Sequence, residues 1–125
     1  MIHEKMMEQI GFIEEELDIA FPGLYRKFLA EEIQDNPSYE IQDENESNIY
    51  LFCYTDVLER NETYQIQSVE PQYCLIGQDG DIGYFVYVKK GSEKDAIYSL
   101  DFGALGSLSM ERIANDIYDL SAKRM

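Results

Sequence analysis

The sequence predicts an α+β domain, with helices packed against one face of a twisted antiparallel sheet. Three observations carry that prediction. Helical periodicity lies at the two ends of the chain, a strand–turn–strand block occupies residues 74–88 between them, and no linker long enough to divide domains interrupts the 125 residues. Helices segregated at the ends of a run of strands argue for α+β over an alternating α/β order. The length suits one core, so residues 1–125 are expected to form a single domain.

The elements follow in order. Ile2, Met6, Ile10, Ile13 and Leu17 recur at steps of three and four and make one helical stripe, with Gly11 as a point where it could divide. Glu14, Glu15 and Glu16 form the solvated side of that helix. The pattern breaks over residues 18–21, and Pro22 fits the first turn of a second helix, where a missing N–H costs nothing. Leu24, Tyr25, Phe28, Leu29 and Ile33 are the apolar side of this helix over residues 23–33, with Arg26, Lys27, Glu31 and Glu32 outside. Residues 34–48 are polar and acidic, are interrupted by Pro37, and read as a loop with a short strand near residues 39–41. Residues 49–54 make a strand; 56–62 suit a helical turn or a broad loop; Tyr64 and Ile66 alternate with Gln65 and Gln67.

The central hairpin is the organising stretch. Cys74, Leu75 and Ile76 lead into Gln78-Asp79-Gly80-Asp81, where Gly80 can take a positive φ, and residues 82–88 return as an aromatic and β-branched strand. Residues 89–95 are a surface turn, 96–100 the next strand, and 102–107 a Gly-rich loop. Ser109 is expected to cap a last helix with Glu111 in its first turn. Met110, Ile113, Ala114, Ile117 and Leu120 or Ser121 would form its apolar face, and Lys123 and Arg124 its basic end.

Charge is the strongest compositional signal. The chain carries a formal −15, with 19 acidic and 4 basic side chains in residues 1–88 against 6 and 6 in residues 89–125. Such a field repels nucleic acid and anionic membranes and speeds association with basic partners, although solubility alone would also account for it. No apolar run reaches the roughly 20 residues of a membrane span, and the N-terminus lacks a basic region followed by an apolar one, so a cytoplasmic protein is expected. Cys53 and Cys74 sit in apolar surroundings and read as reduced core residues. Without export, the acceptor patterns at Asn45 and Asn61 carry no meaning.

Catalytic readings find little support. His3 is the single histidine and lies near a terminus, so no metal cluster and no nucleophile–His arrangement can be built around it. Asp79-Gly80-Asp81 lacks the ligand ladder of a calcium loop and reads as a hairpin turn. The loop at 102–107 lacks the lysine of a phosphate loop. Among 25 acidic groups any general acid–base pair would be arbitrary. The acidic stretch is the best interface candidate: Glu31, Glu32, Asp35, Glu40, Asp43, Glu44 and Glu46 cluster with Tyr39 and Tyr50, and tyrosine anchors interfaces at low entropic cost. A solvated loop is the alternative.

Over about residues 13–121 the chain resembles the SUKH superfamily, the fold of many bacterial immunity proteins and of yeast cell-wall-synthesis regulators. The resemblance rests on Ile13, Glu14, Leu17, Phe21, Pro22, Leu24, Tyr25, Phe28 and Leu29; on Cys74-Leu75-Ile76-Gly77-Gln78-Asp79-Gly80-Asp81-Ile82-Gly83, similar to the family's IG-x-D-G hairpin; and on Ala96-Ile97-Tyr98, Asp101, Ile113, Ala114 and Ile117. Gly77, Asp79, Gly80 and Gly83 are the structural turn residues of that motif. Many members have a glycine after the second helix where this chain has Gln34-Asp35-Asn36-Pro37, and the family's common tryptophans are absent. The resemblance implies a binding protein with no catalysis and no cofactor, typically one that neutralises a toxin domain delivered by a neighbouring cell. A basic nuclease toxin would meet the acidic surface by occlusion of its groove. The alternative is a regulatory or scaffold module with an endogenous cytoplasmic partner. The chain itself is expected to be a monomer or a weak homodimer.

Overall fold

The computed structural model describes residues 2–42, 48–92 and 94–122. Helix α1 (Ile2–Leu17) runs unbroken through Gly11 and buries Met6, Ile10 and Ile13. Helix α2 (Gly23–Phe28) begins one residue after Pro22, and a five-residue π-helical turn, Leu29–Ile33, continues it. Tyr25, Phe28, Leu29, Ala30 and Ile33 are all buried along this combined element. Glu14 fastens the two helices together: its Oε2 accepts the Phe21 N–H at 2.8 Å and ion-pairs with Arg26.

Six strands form one antiparallel sheet whose spatial order follows the sequence: β1 (Glu40–Gln42), β2 (Asn48–Leu51), β3 (Tyr73–Asp79), β4 (Ile82–Tyr87), β5 (Ile97–Asp101) and β6 (Glu111–Ala114). The β3–β4 hairpin is central, as expected. Asp79 pairs with Ile82 across a two-residue turn in which Gly80 takes φ +59°, a region open to glycine without steric cost. Helix α5 (Ile117–Ala122) closes the chain. The result is the α+β domain that the residue patterns indicate, with N-terminal helices and a C-terminal helix on the sheet.

Register assigns the faces, because residues directly opposite share one side of the pleat. Cys74, Val86 and Ile97 line up across β3, β4 and β5 and are wholly buried, with Tyr25 of α2 beside the Cys74 thiol. Leu75, Phe85 and Tyr98 line up on the opposite face. Gly77 lies at an irregularity in β3 where β2 crosses closely; a Cβ there would stand 2.6 Å from the Tyr50 carbonyl oxygen. Gly83 lies in β4 under the rings of Phe85 and Phe102, both 2.9 Å from where its Cβ would be. These two glycines therefore serve close approach within strands, while Gly80 serves the turn.

Between β2 and β3 the chain makes two helices, α3 (Tyr54–Thr63) and α4 (Ile66–Val69). The strand expected over 49–54 ends at Leu51, the region at 56–62 is a full helix, and the alternation at 64–69 yields a short helix. Backbone hydrogen bonding explains the arrangement. Strand β2 pairs with only the far part of β3, leaving the Leu75 end without a strand neighbour. The buried Asn61 side chain takes that place, accepting the Leu75 N–H at 2.9 Å and donating to its carbonyl at 2.8 Å. Gln67 continues the row by donating to the Tyr73 carbonyl at 2.9 Å and to Asn61 Oδ1 at 3.0 Å. Two carboxamides thus complete the ladder that β2 abandons, as buried backbone groups require.

The last helix is the clearest departure. Residues 111–114 form an edge strand paired with β5, and the helix begins only at Ile117. Ser109 therefore caps no helix. Met110, Ile113, Ala114 and Ile117 carry a helical spacing, but pairing with β5 satisfies the backbone of the first part and overrides it. Lys123 and Arg124 lie outside the described residues.

Candidate protein-binding surface

The acidic stretch divides around the β1 edge of the sheet. One group gathers on the helical side. The π-turn carries Glu31 and Glu32 outward, while Phe28, one residue before that turn, holds two tyrosine rings edge-on: Tyr39 at 5.8 Å and Tyr118 of α5 at 5.1 Å between centroids. Asp116 completes the group. Burial first, and then the charges of Glu31, Glu32 and Asp116, push the Tyr118 hydroxyl above the ordinary tyrosine range. That hydroxyl oxygen is enclosed and has no hydrogen-bond partner among the described residues. The Lys27 ammonium stands 5.9 Å from the Tyr118 ring centre, so the ring already faces one cation.

The second group occupies the opposite face. Glu40 and Tyr50 are directly opposite in the β1–β2 register. The Tyr50 hydroxyl donates to Asp56 Oδ2 at 3.0 Å and is within hydrogen-bonding reach of the Pro37 carbonyl. Burial and the Asp56 hydrogen bond raise its pKa. Asp35 is exposed on the turn that joins the groups, and its neighbour Asn36 receives the Ser38 N–H at 2.9 Å. Asp43, Glu44 and Glu46 lie outside the described residues.

Backbone geometry marks the same corner. A π-turn commonly accompanies functional sites, and this one ends at Gln34 with φ +54° and ψ −127°, a conformation that side chains other than glycine rarely adopt. Its N–H reaches back to the Leu29 carbonyl at 2.7 Å, and its amide donates to the Glu31 carbonyl at 3.2 Å. The strained residue thus fixes the direction in which Glu31 and Glu32 leave the fold.

Sequence reasoning missed Asp56, Asp116 and Tyr118. Asp116 and Tyr118 are more than eighty positions from Glu31 and Glu32, and only the docking of α5 beside α2 brings them there. The spacing of Tyr118 from Phe28 carries no local signal.

What the surface can do chemically is bind cations and apolar side chains together. Among the described residues no group of three His, Cys, Asp or Glu side chains could hold a metal ion. The His3 side chain lies outside the described residues. The hydroxyls of Tyr25, Tyr50, Tyr73 and Tyr118 and the Cys74 thiol are all shifted upward, chiefly by burial, away from a reactive anion. Among the described residues no helix is long and apolar enough to cross a membrane.

Direct comparison with curated proteins returns no match. A SUKH family model described as SMI1-KNR4 cell-wall matches residues 7–120, which includes every strand and all helices except the first turns of α1 and the end of α5. Hairpin, helix order and match agree: the chain belongs to the SUKH family.

Proposed function

We propose that this SUKH protein is a non-catalytic immunity protein that binds a basic toxin domain, in the cytoplasm, by stoichiometric occlusion. The observation that carries the reading is the convergence of Glu31, Glu32 and Asp116 on Tyr118, whose ring packs with that of Tyr39 against Phe28, beside a strained π-turn. Family membership is consistent with a non-catalytic immunity or protein-interaction role. Carboxylates at a ring face favour a guanidinium or ammonium from a partner. The −15 charge accelerates encounter with such a partner. Nuclease domains suit this chemistry best, since they present cations to hold a polyanion.

The test is affinity capture on the immobilised chain, eluted with a salt gradient, followed by expression of the captured domain alone. A basic domain that arrests growth, and is rescued by this chain but not by a Glu31→Lys/Glu32→Lys/Asp116→Lys variant, is the expected outcome. Capture of a non-toxic cellular protein, with binding indifferent to salt and to the triple reversal, would replace it with the regulatory module.

A further inference from the structure

The sheet face opposite α2 carries a second surface of different chemistry. Tyr73, Tyr87 and Tyr98 stand together on it, half-buried, with Tyr73 in edge contact with both others at 5.5 and 5.3 Å between centroids. The three rings floor a track between two grooves. One, of about 410 Å³, is lined by Val69, Tyr73, Leu108 and Met110. The other, of about 370 Å³, is lined by Lys94, Tyr98 and Arg112. Because Tyr73 belongs to the first groove and Tyr98 to the second, their touching rings make the track continuous.

Charge distinguishes this surface from the rest of the molecule. Lys94 stands 4.9 Å over the Tyr87 ring, and Arg112 lies directly opposite Tyr98 in the β5–β6 register. Neither forms an ion pair among the described residues, although the chain holds 25 acidic side chains for 10 basic ones. Among the described residues the Arg112 guanidinium donates to one partner, the neutral Asn115 amide oxygen, at 2.6 Å. The two carboxylates lining the track are engaged by backbone: Glu70 accepts the Gly106 N–H at 2.8 Å and Asp95 the Leu24 N–H at 3.3 Å. At the apolar end Leu108 is 67 % exposed and Val69 46 %, a cost in contact with water that a partner would remove.

We propose that this tyrosine track is a second docking surface, and that its occupant is an extended acidic peptide segment of a protein partner, one in which carboxylates alternate with large apolar side chains. Carboxylates would engage Lys94 and Arg112, while apolar groups would lie on the rings and enter the Val69–Leu108 groove. Complementary charge selects this occupant. A second copy docked by the same face would bring the same two cations to the contact, whereas an acidic peptide brings carboxylates to meet them. Nucleic acid would need far more than two cations against a net −15. Long-range repulsion from the net −15 is limited, because exposed charges are screened beyond about 8 Å at physiological ionic strength.

The test is fluorescence anisotropy with a labelled peptide of alternating Glu and Phe, alongside a counterpart carrying Lys for Glu. The Glu peptide is expected to bind saturably and the Lys peptide at least about tenfold more weakly at this face, a factor of ten being 1.4 kcal/mol. Lys94→Glu/Arg112→Glu and, separately, Leu108→Asp should each weaken the Glu peptide by about that factor, with circular dichroism melts unchanged because all three side chains are exposed. Glu31→Lys/Glu32→Lys should leave it unaffected, which separates this surface from the toxin-binding one. No saturable binding, equal binding of the two peptides, or affinities within twofold of wild type for both face variants would overturn the proposal, as would concentration-dependent dimerisation abolished by Leu108→Asp.

Discussion

Gln34 occupies a backbone conformation that a glycine would hold without strain. Gln34→Gly should therefore raise stability by about 1 kcal/mol, measured by denaturant unfolding, because removing the Cβ relieves more than the added freedom of the unfolded chain costs. A fall in the midpoint would show that the bond from its side chain to the Glu31 carbonyl outweighs the strain. Asn61 presents the opposite case. Asn61→Ala strips two partners from the buried Leu75 backbone and is expected to cost about 3 kcal/mol. The glycine of the turn was legible in the sequence, since Asp-Gly-Asp between two apolar runs admits few conformations. The role of Asn61 was not, because an asparagine in a polar helix stretch gives no sign that a strand edge faces it.

At the level of elements, the close crossing of β2 over β3 depends on Gly77. Gly77→Ala places a carbon against a backbone oxygen, which no rotamer change can relieve, and should destabilise by about 1–3 kcal/mol in the same unfolding measurement. Strand β6 illustrates why sequence reading falls short here. Local spacing over residues 110–117 is helical, yet the deciding interaction is with β5, and long-range pairing leaves no mark on a short window. Helix α1 and the β3–β4 hairpin were readable because their apolar patterns and their final partners agree. The acidic candidate site was legible only in part: Glu31, Glu32 and Tyr39 come together as a cluster, but Glu40 and Tyr50 turn to the other face, since successive residues of an extended chain alternate sides.

For the whole molecule, the titration of buried hydroxyls and a thiol sets the alkaline limit of stability. Tyr25, Tyr50, Tyr73, Tyr118 and Cys74 all hold their protons more tightly in the fold than in the unfolded chain. The unfolded chain therefore releases protons first, near the ordinary values of 9.0 for the thiol and 10.0 for the hydroxyls. Above those values the native state binds more protons, and stability falls as pH rises; below them this contribution is fully present. Denaturant midpoints measured from neutral pH upward should stay level with respect to these groups and then drop through the tyrosine range, and a flat profile to the alkaline end would contradict their burial.

The carboxamides that replace a strand beside β3 also govern how the chain can be edited. The segment between Leu51 and Tyr73 looks like an excursion that a shorter connection could spare, but its Asn61 and Gln67 are the lateral neighbours of the central hairpin. A deletion there would leave bare amide and carbonyl groups along a central strand whose middle is fully buried, a template for any other extended chain. Trimming this stretch would turn the folded domain into a seed for intermolecular sheet growth, whereas the turn at Gly91, which guards no ladder, is the natural place for an insertion or a tag.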